Sequence, residues 1–203
     1  MQQCKLRHLE VRPHSSNATA QSISDATLRE LATHGAAIVT LSTPASCMTS
    51  VAPVAGSLRK LNASGRDCGI DDAGLARAVR LVELDASCNQ NIRTVATFAA
   101  SLRRIDASYT CGIDDAGLAD ATCIVELKAA GNPRISTVAP FAASLRRLVV
   151  SDCGIDDAGL AQATRVLVQR QESRSSPRRD RDQPHSALGA LVSCFAAMVE
   201  AAL

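Results

Sequence analysis

Aromatic side chains are almost missing from this chain: its 203 residues hold no tryptophan, one tyrosine (Tyr109) and three phenylalanines. A platform that stacks single-stranded bases needs several such rings, so that class of function is excluded. A dominant charge sign is lacking as well. The 22 Lys and Arg stand against 20 Asp and Glu, a formal net charge of +2. That is too little to hold a polyanion, and no nucleic acid is expected as a partner. The uncharged C-terminal run, Ser186 to Val199, falls short of the ~20 residues that span a bilayer. Met1-Gln-Gln-Cys-Lys-Leu-Arg lacks the apolar segment of a signal peptide. A membrane partner is therefore not expected, and a reducing compartment, cytoplasmic or nuclear, fits best. Catalytic signatures are missing too: there is no Gly-rich phosphate loop, no HExxH and no nucleophile elbow. The four histidines (His8, His14, His34, His185) are scattered, with no Cys or Asp partner at metal-site spacing. No catalytic residue, cofactor or metal is expected.

Repetition is what the chain has in abundance. Cys-Gly-Ile-Asp-Asp-Ala-Gly-Leu-Ala occurs three times, starting at Cys68, Cys111 and Cys153. Self-similarity at a fixed period signals stacked supersecondary units. Each period of 42 or 43 residues divides into two unlike units. A type B unit begins at Leu58, Leu102 and Leu145 and carries the nonapeptide. A type A unit begins at Leu81 and Ile124, running Leu-Val-Glu-Leu-Asp-Ala-Ser-Cys-Asn and then Ile92, Val95 and Phe98. Degenerate copies precede them. Leu6, Leu9 and Val11 repeat the type B strand, Ile23 to Leu28 mirrors Ile70 to Leu75, and a type A copy follows at Ile38, Leu41 and Thr43. Units of about 20 to 23 residues in the order B-A-B-A-B-A-B give about seven rungs. Val166 to Gln169 starts a further type A strand whose second half does not follow.

The Leu145-x-x-Leu148-x-Val150-x-x-Cys153-x-Ile155 pattern, with Asp157 and Gly159-Leu160 after it, resembles leucine-rich-repeat proteins. The type A pattern Leu81-x-x-Leu84-x-Ala86-x-x-Asn89 resembles them as well. The likeness extends to the cysteine-containing subclass found in F-box substrate receptors, and it covers roughly four-fifths of the chain. It implies an α/β solenoid: a curved parallel sheet on the concave side and short helices on the convex side. Ala63, Ala86, Ala107 and Ala129 depart from the pattern, standing where that family has a large aliphatic. Each missing methylene forgoes roughly 0.8 kcal/mol of burial, so modest stability is expected.

Several repeated residues invite a functional reading that the spacing argues against. Asp71, Asp114 and Asp156 sit where a helix N-cap belongs, each followed by an Asp in the first turn that favours the helix dipole. Adjacent carboxylates at a helix start do not converge on one ion. The triplicated cysteines would lie two rungs apart, about 10 Å at a strand spacing of ~4.8 Å. That is too far for a disulfide or a shared zinc ion, so buried free thiols are expected. Gly74, Gly117 and Gly159 are read as points of close approach between rungs. A buried Asn or Cys in the turn after each strand is expected to bond neighbouring rungs. Ser136 or Thr137 is placed to cap a short turn, and Phe98, Phe141 and Val54 form a convex-side spine.

The outward strand positions carry what variation there is. Successive rungs read Lys60, Glu83, Arg104, Glu126 and Arg147 at the third strand position, and Arg59, Val82, Arg103, Val125 and Arg146 at the second. Opposite charges thus face one another across neighbouring strands, worth about 0.2–1 kcal/mol per pair. The same face can serve as a binding surface. The candidate partner-binding residues are Arg59, Lys60, Glu83, Asp85, Arg103, Arg104, Glu126, Lys128, Arg146 and Arg147.

Beyond Arg165 the character changes. Residues 1–169 are read as the solenoid, residues 170–186 as a charged flexible linker, and residues 187–203 as an amphipathic helix that could cap the last rung. The abrupt change also fits a truncated or recombined member of a repeat family. The expected function is a non-enzymatic scaffold that binds a protein partner on the concave sheet. The alternative, implied by the resemblance, is a substrate-recognition fragment of an F-box-type ubiquitin ligase. That role needs an adaptor-binding segment of some 40 to 50 residues, for which no room is expected before Leu6.

Overall fold

In the computed structural model, residues 6–10, 24–44, 46–163 and 165–170 are described. Val11, the connection from His14 to Gln21, nearly all of the expected linker and the expected C-terminal helix lie outside them. Strands are three or four residues long, because only the Leu-x-x-Leu-x-Ala core of each unit alternates inward and outward. They are β1 (His8–Glu10), β2 (Thr40–Ser42), β3 (Lys60–Asn62), β4 (Glu83–Asp85), β5 (Arg104–Asp106), β6 (Glu126–Lys128), β7 (Arg147–Val150) and β8 (Leu167–Arg170). All pair in parallel, in simple chain order from β1 to β8. The seven expected rungs and the start of an eighth thus appear as eight strands. In β2 to β7 the second residue (Leu41, Leu61, Leu84, Ile105, Leu127, Leu148) is buried and its two neighbours face outward.

The return half of each rung alternates as the two unit types do. Type B rungs carry α-helices: α1 (Asp25–Thr33), α2 (Asp72–Leu75), α3 (Asp115–Leu118) and α4 (Asp157–Leu160). Type A rungs carry single 3₁₀ turns at Ala52–Val54, Ala96–Phe98 and Ala139–Phe141. Asp71, Asp114 and Asp156 accept from the N–H of Gly74, Gly117 and Gly159, each at 2.8 Å, which is the N-cap geometry expected of them. The second aspartate of the first two pairs has a further job. Asp72 accepts from the N–H groups of Arg93 and Thr94 on the next rung, and Asp115 from those of Ser136 and Thr137. Asp25 in α1 does the same for Thr49 and Ser50. These carboxylates satisfy donors that no strand reaches. Thr137 rather than Ser136 serves the 3₁₀ turn, its hydroxyl accepting from the Ala139 N–H; the Ser136 hydroxyl donates to Asp115 instead.

A continuous core runs through the array and includes Phe98, Phe141 and Val54. Ala63, Ala86, Ala107 and Ala129 are wholly buried despite their size. Polar side chains inside are mostly satisfied rung to rung; the buried Ser46 hydroxyl, which has no hydrogen-bond partner among the described residues, is an exception. Asn89 donates to the carbonyls of Ala63 and Ile70, and Asn132 to those of Ala107 and Ile113. Ser57, Ser101 and Ser144 open their rungs and donate to the preceding rung at Ile38, Leu81 and Ile124, at 2.7 to 2.8 Å. Cys68 and Cys111 are buried free thiols, and Cys153 is half-buried. Burial pushes the Cys111 thiol up to about 11 and raises that of Cys68, so both stay protonated and inert near neutrality.

The turns leaving β3 to β7 use left-handed backbone at one fixed place. Gly65 and Gly131 fill it in two rungs, at φ of 104° and 69°. Cys88, Tyr109 and Asp152 fill it in three others, at 61°, 60° and 48°. Only glycine takes this conformation without steric cost; for a side chain the strain is of order 1–3 kcal/mol.

Candidate functional site

Parallel register sets the outward residues in two columns. Lys60, Glu83, Arg104, Glu126 and Arg147 stack in one, because Lys60 pairs with Glu83, Glu83 with Arg104, and so on along the sheet. Asn62, Asp85, Asp106, Lys128 and Val149 stack in the other. The side chains of β2 to β6 line a hollow of about 460 Å³. Its floor is rigid, since every strand is held on both sides by backbone hydrogen bonds.

Glu83 lies between two cations, 2.9 Å from Lys60 and 3.0 Å from Arg104. Partial burial alone would raise its carboxyl. The hydrogen bonds and charges of Lys60 and Arg104 outweigh that and hold the group below the ordinary glutamate value. Arg147 reaches Glu126 at 3.5 Å, and Lys128 reaches Asp106 at 3.4 Å. Arg147 also donates to Gln169 on β8 at 2.8 Å. The cations of these pairs are about half exposed, so each pair contributes at most about 1 kcal/mol. What the pairs do instead is cancel charge. On β3 to β7 the four cations Lys60, Arg104, Lys128 and Arg147 balance the four anions Glu83, Glu126, Asp85 and Asp106.

The second-position arginines stand apart from the columns. Arg59, Arg103 and Arg146 precede their strands, and each turns a guanidinium back onto its own rung. Arg103 donates to the carbonyls of Ala100 and Leu102 at 2.9 and 3.0 Å, and Arg146 to those of Ala143 and Leu145 at 3.0 Å. Arg59 donates to Leu58 at 3.0 Å and to Gly56 at 3.5 Å. They satisfy carbonyls left over after each 3₁₀ turn, as a cation at a helix C-terminus does. Asp85 has a split role: it faces outward, yet one oxygen accepts from the Ser87 N–H and hydroxyl in the turn that follows. Asp106, which completes the pair with Lys128, was absent from the candidate set. Aligning the fifth strand position as well as the third (Asn62, Asp85, Asp106, Lys128) would have supplied it. Among the described residues no group of histidine, cysteine and carboxylate side chains could hold a metal ion. No helix among them is long and apolar enough to cross a membrane.

No protein-family profile matches the chain, and no curated protein matches it. Solved structures do. An internalin (inlF) from Listeria monocytogenes superposes with a TM-score of 0.51 at 20% identity, over 73% of this chain and 46% of that one. An internalin C2 (inlC2) from the same bacterium gives 0.46 at 17% identity, over 74% and 77%. The chain therefore spans less than half the length of the first, and identity this low speaks to fold alone. The first of these, the inlF internalin, is a leucine-rich-repeat protein. With the eight-stranded parallel ladder, the inter-rung asparagines and the short return helices, the protein is a leucine-rich-repeat solenoid.

Proposed function

We propose that the protein is a non-enzymatic scaffold that binds a protein partner on its concave sheet. The observation that carries this reading is the pair of in-register columns. One column alternates cation and anion from Lys60 to Arg147, and the other runs Asn62, Asp85, Asp106, Lys128. Both stand on a backbone that cannot rearrange, so a partner is selected by charge pattern rather than by net attraction. Preorganisation of this kind lowers the ordering cost of association. Arg104 and Lys128 are the residues to reverse, because Arg103 is committed to its own rung's carbonyls. The variants Arg104→Glu and Lys128→Glu should retain the fold and lose the protein captured by the wild-type chain from its host. Undiminished capture by both folded variants would move the interface off the sheet.

A narrower version makes the chain the substrate-recognition segment of a ubiquitin ligase. Cys68 and Cys111, buried in the turn where the F-box-type subclass has its cysteine, favour it. Their free, buried state also suits a reducing compartment. Co-purification of the ligase adaptor and cullin under conditions that keep other partners would support this version, and their absence under those conditions would remove it.

A further inference from the structure

The sheet face is self-neutralised, but a second hollow is not. It lies on the flank where the chain leaves β4, β5 and β6, with a volume of about 310 Å³. Arg93, Arg134, Gln90, Thr110 and the ring of Tyr109 line it, and no acidic side chain does. Among the described residues neither guanidinium has a hydrogen-bond or ion-pair partner. Both arginines nevertheless project from fixed points. The Arg93 N–H is held by Asp72 at 2.9 Å, and the Arg134 N–H by Asn132 at 3.0 Å.

Tyr109 adds a second, independent oddity. It is the bulkiest occupant of the left-handed turn position, at φ 60°, where glycine serves two other rungs. Its backbone is locked there, the N–H donating to the Ala130 carbonyl at 2.6 Å. The next rung makes room for the ring: a Cβ added to Gly131 would come within 3.1 Å of Tyr109 Cδ1. The ring is therefore seated on Gly131 while remaining 52% exposed. Cys88 and Asp152 share the left-handed backbone, but of the three only Tyr109 sets a half-exposed ring beside two unpaired guanidiniums, a pattern of binding sites rather than of packing.

From this juxtaposition we infer that the flank hollow binds an acidic peptide segment, a carboxylate pairing with Arg93 and Arg134 while the peptide lies against Tyr109. Guanidinium forks match carboxylates bidentately, and the lining leaves the ligand to supply the negative charge. A nucleic acid strand is the poorer fit, because one ring cannot stack successive bases. The inference builds on the reading of the chain as a protein-binding scaffold, but it occupies a different surface, so the two fail separately.

Tyr109 itself is the probe. It is the chain's single tyrosine, and there is no tryptophan, so tyrosine emission reports on this hollow alone. Titrating the full chain with a hexaglutamate peptide should change that emission saturably, with binding that weakens as salt rises. Arg93→Gln/Arg134→Gln should weaken it by about tenfold or more, since it removes both charge-assisted contacts. Lys60→Gln/Arg104→Gln on the sheet should leave it intact. The inference is overturned if the response survives in the Arg93/Arg134 variant or disappears in the sheet variant. It is equally overturned if the peptide gives no response, if inorganic phosphate alone reproduces it, or if oligothymidylate binds more tightly than the peptide.

Discussion

Replacing Gly117 by alanine tests whether rung spacing is set by the repeated glycine of the Asp-Asp-Ala-Gly motif. A Cβ built at Gly117 would lie 2.0 Å from the Arg93 carbonyl oxygen, 3.2 Å from its carbon and 3.4 Å from Thr94 Cα. Real contacts of this kind do not fall below 3.0 Å, so the rungs must part by about 1 Å. Nothing flexible can yield, because the obstruction is backbone. That backbone is held from both sides: Val95 N–H donates to the Gly117 carbonyl at 3.1 Å, and Arg93 N–H to Asp72 at 2.9 Å. Two effects oppose each other. Alanine gains about 1 kcal/mol over glycine within a helix. Overpacking against an immovable neighbour costs about 1–3 kcal/mol or more, and each stretched hydrogen bond forfeits about 1 kcal/mol. The expected net is a loss of about 2–4 kcal/mol.

Urea unfolding followed by circular dichroism measures it, with Gly56→Ala as the control. Nothing lies within 4 Å of a Cβ at Gly56, so that variant should stay within about 0.5 kcal/mol of wild type. Because a solenoid is held by nearest-neighbour interfaces, opening one of them should also lower the urea dependence as the array splits into two cooperative blocks. A Gly117→Ala midpoint at or above that of wild type would mean that helix propensity wins, and the close-approach account would be wrong.

Two other expectations follow from the same geometry. Asn132→Ala strands the carbonyls of Ala107 and Ile113 inside the core, so it should cost about 2–4 kcal/mol in urea unfolding. A loss under 1 kcal/mol would show that the asparagine ladder is dispensable. Glu83 titrates below the ordinary glutamate value of 4.5; the stability it adds is present above that value and fades as pH falls through its lowered folded value. Glu83→Gln should therefore narrow the difference between neutral and acid stability without moving the neutral value by more than about 1 kcal/mol. An unchanged acid limb would dismiss the Lys60–Glu83–Arg104 triplet as a stabilising unit.

How much of this was legible in the sequence depended on the range over which each residue acts. The N-caps Asp71, Asp114 and Asp156 bond three residues ahead, and the nonapeptide displays that spacing directly. The charge ladder was legible because parallel rungs in register turn a repeat offset into a spatial neighbour, so Lys60, Glu83 and Arg104 could be paired from their unit positions. Roles set by the third dimension were not. Asp72 and Asp115 look like helix-dipole residues until the rungs stack and bring the N–H groups of Arg93 and Ser136 beneath them. Arg59, Arg103 and Arg146 look like a binding column, but they stand one residue before the strand, where the carbonyls ending the 3₁₀ turn are nearer than any ligand. The flank hollow was the least visible. Gly65 and Gly131 signal left-handed backbone, but Tyr109 occupies the same turn position without being able to announce it. The residues that make the nonapeptide so conspicuous are thus the ones that fix rung spacing and caps, whereas the arginines of the flank hollow, Arg93 and Arg134, stand in the less regular turns of the type A units. The two proposed recognition surfaces thus use charge differently: the sheet through the pattern of a neutralised array, the flank hollow through guanidiniums left unpaired.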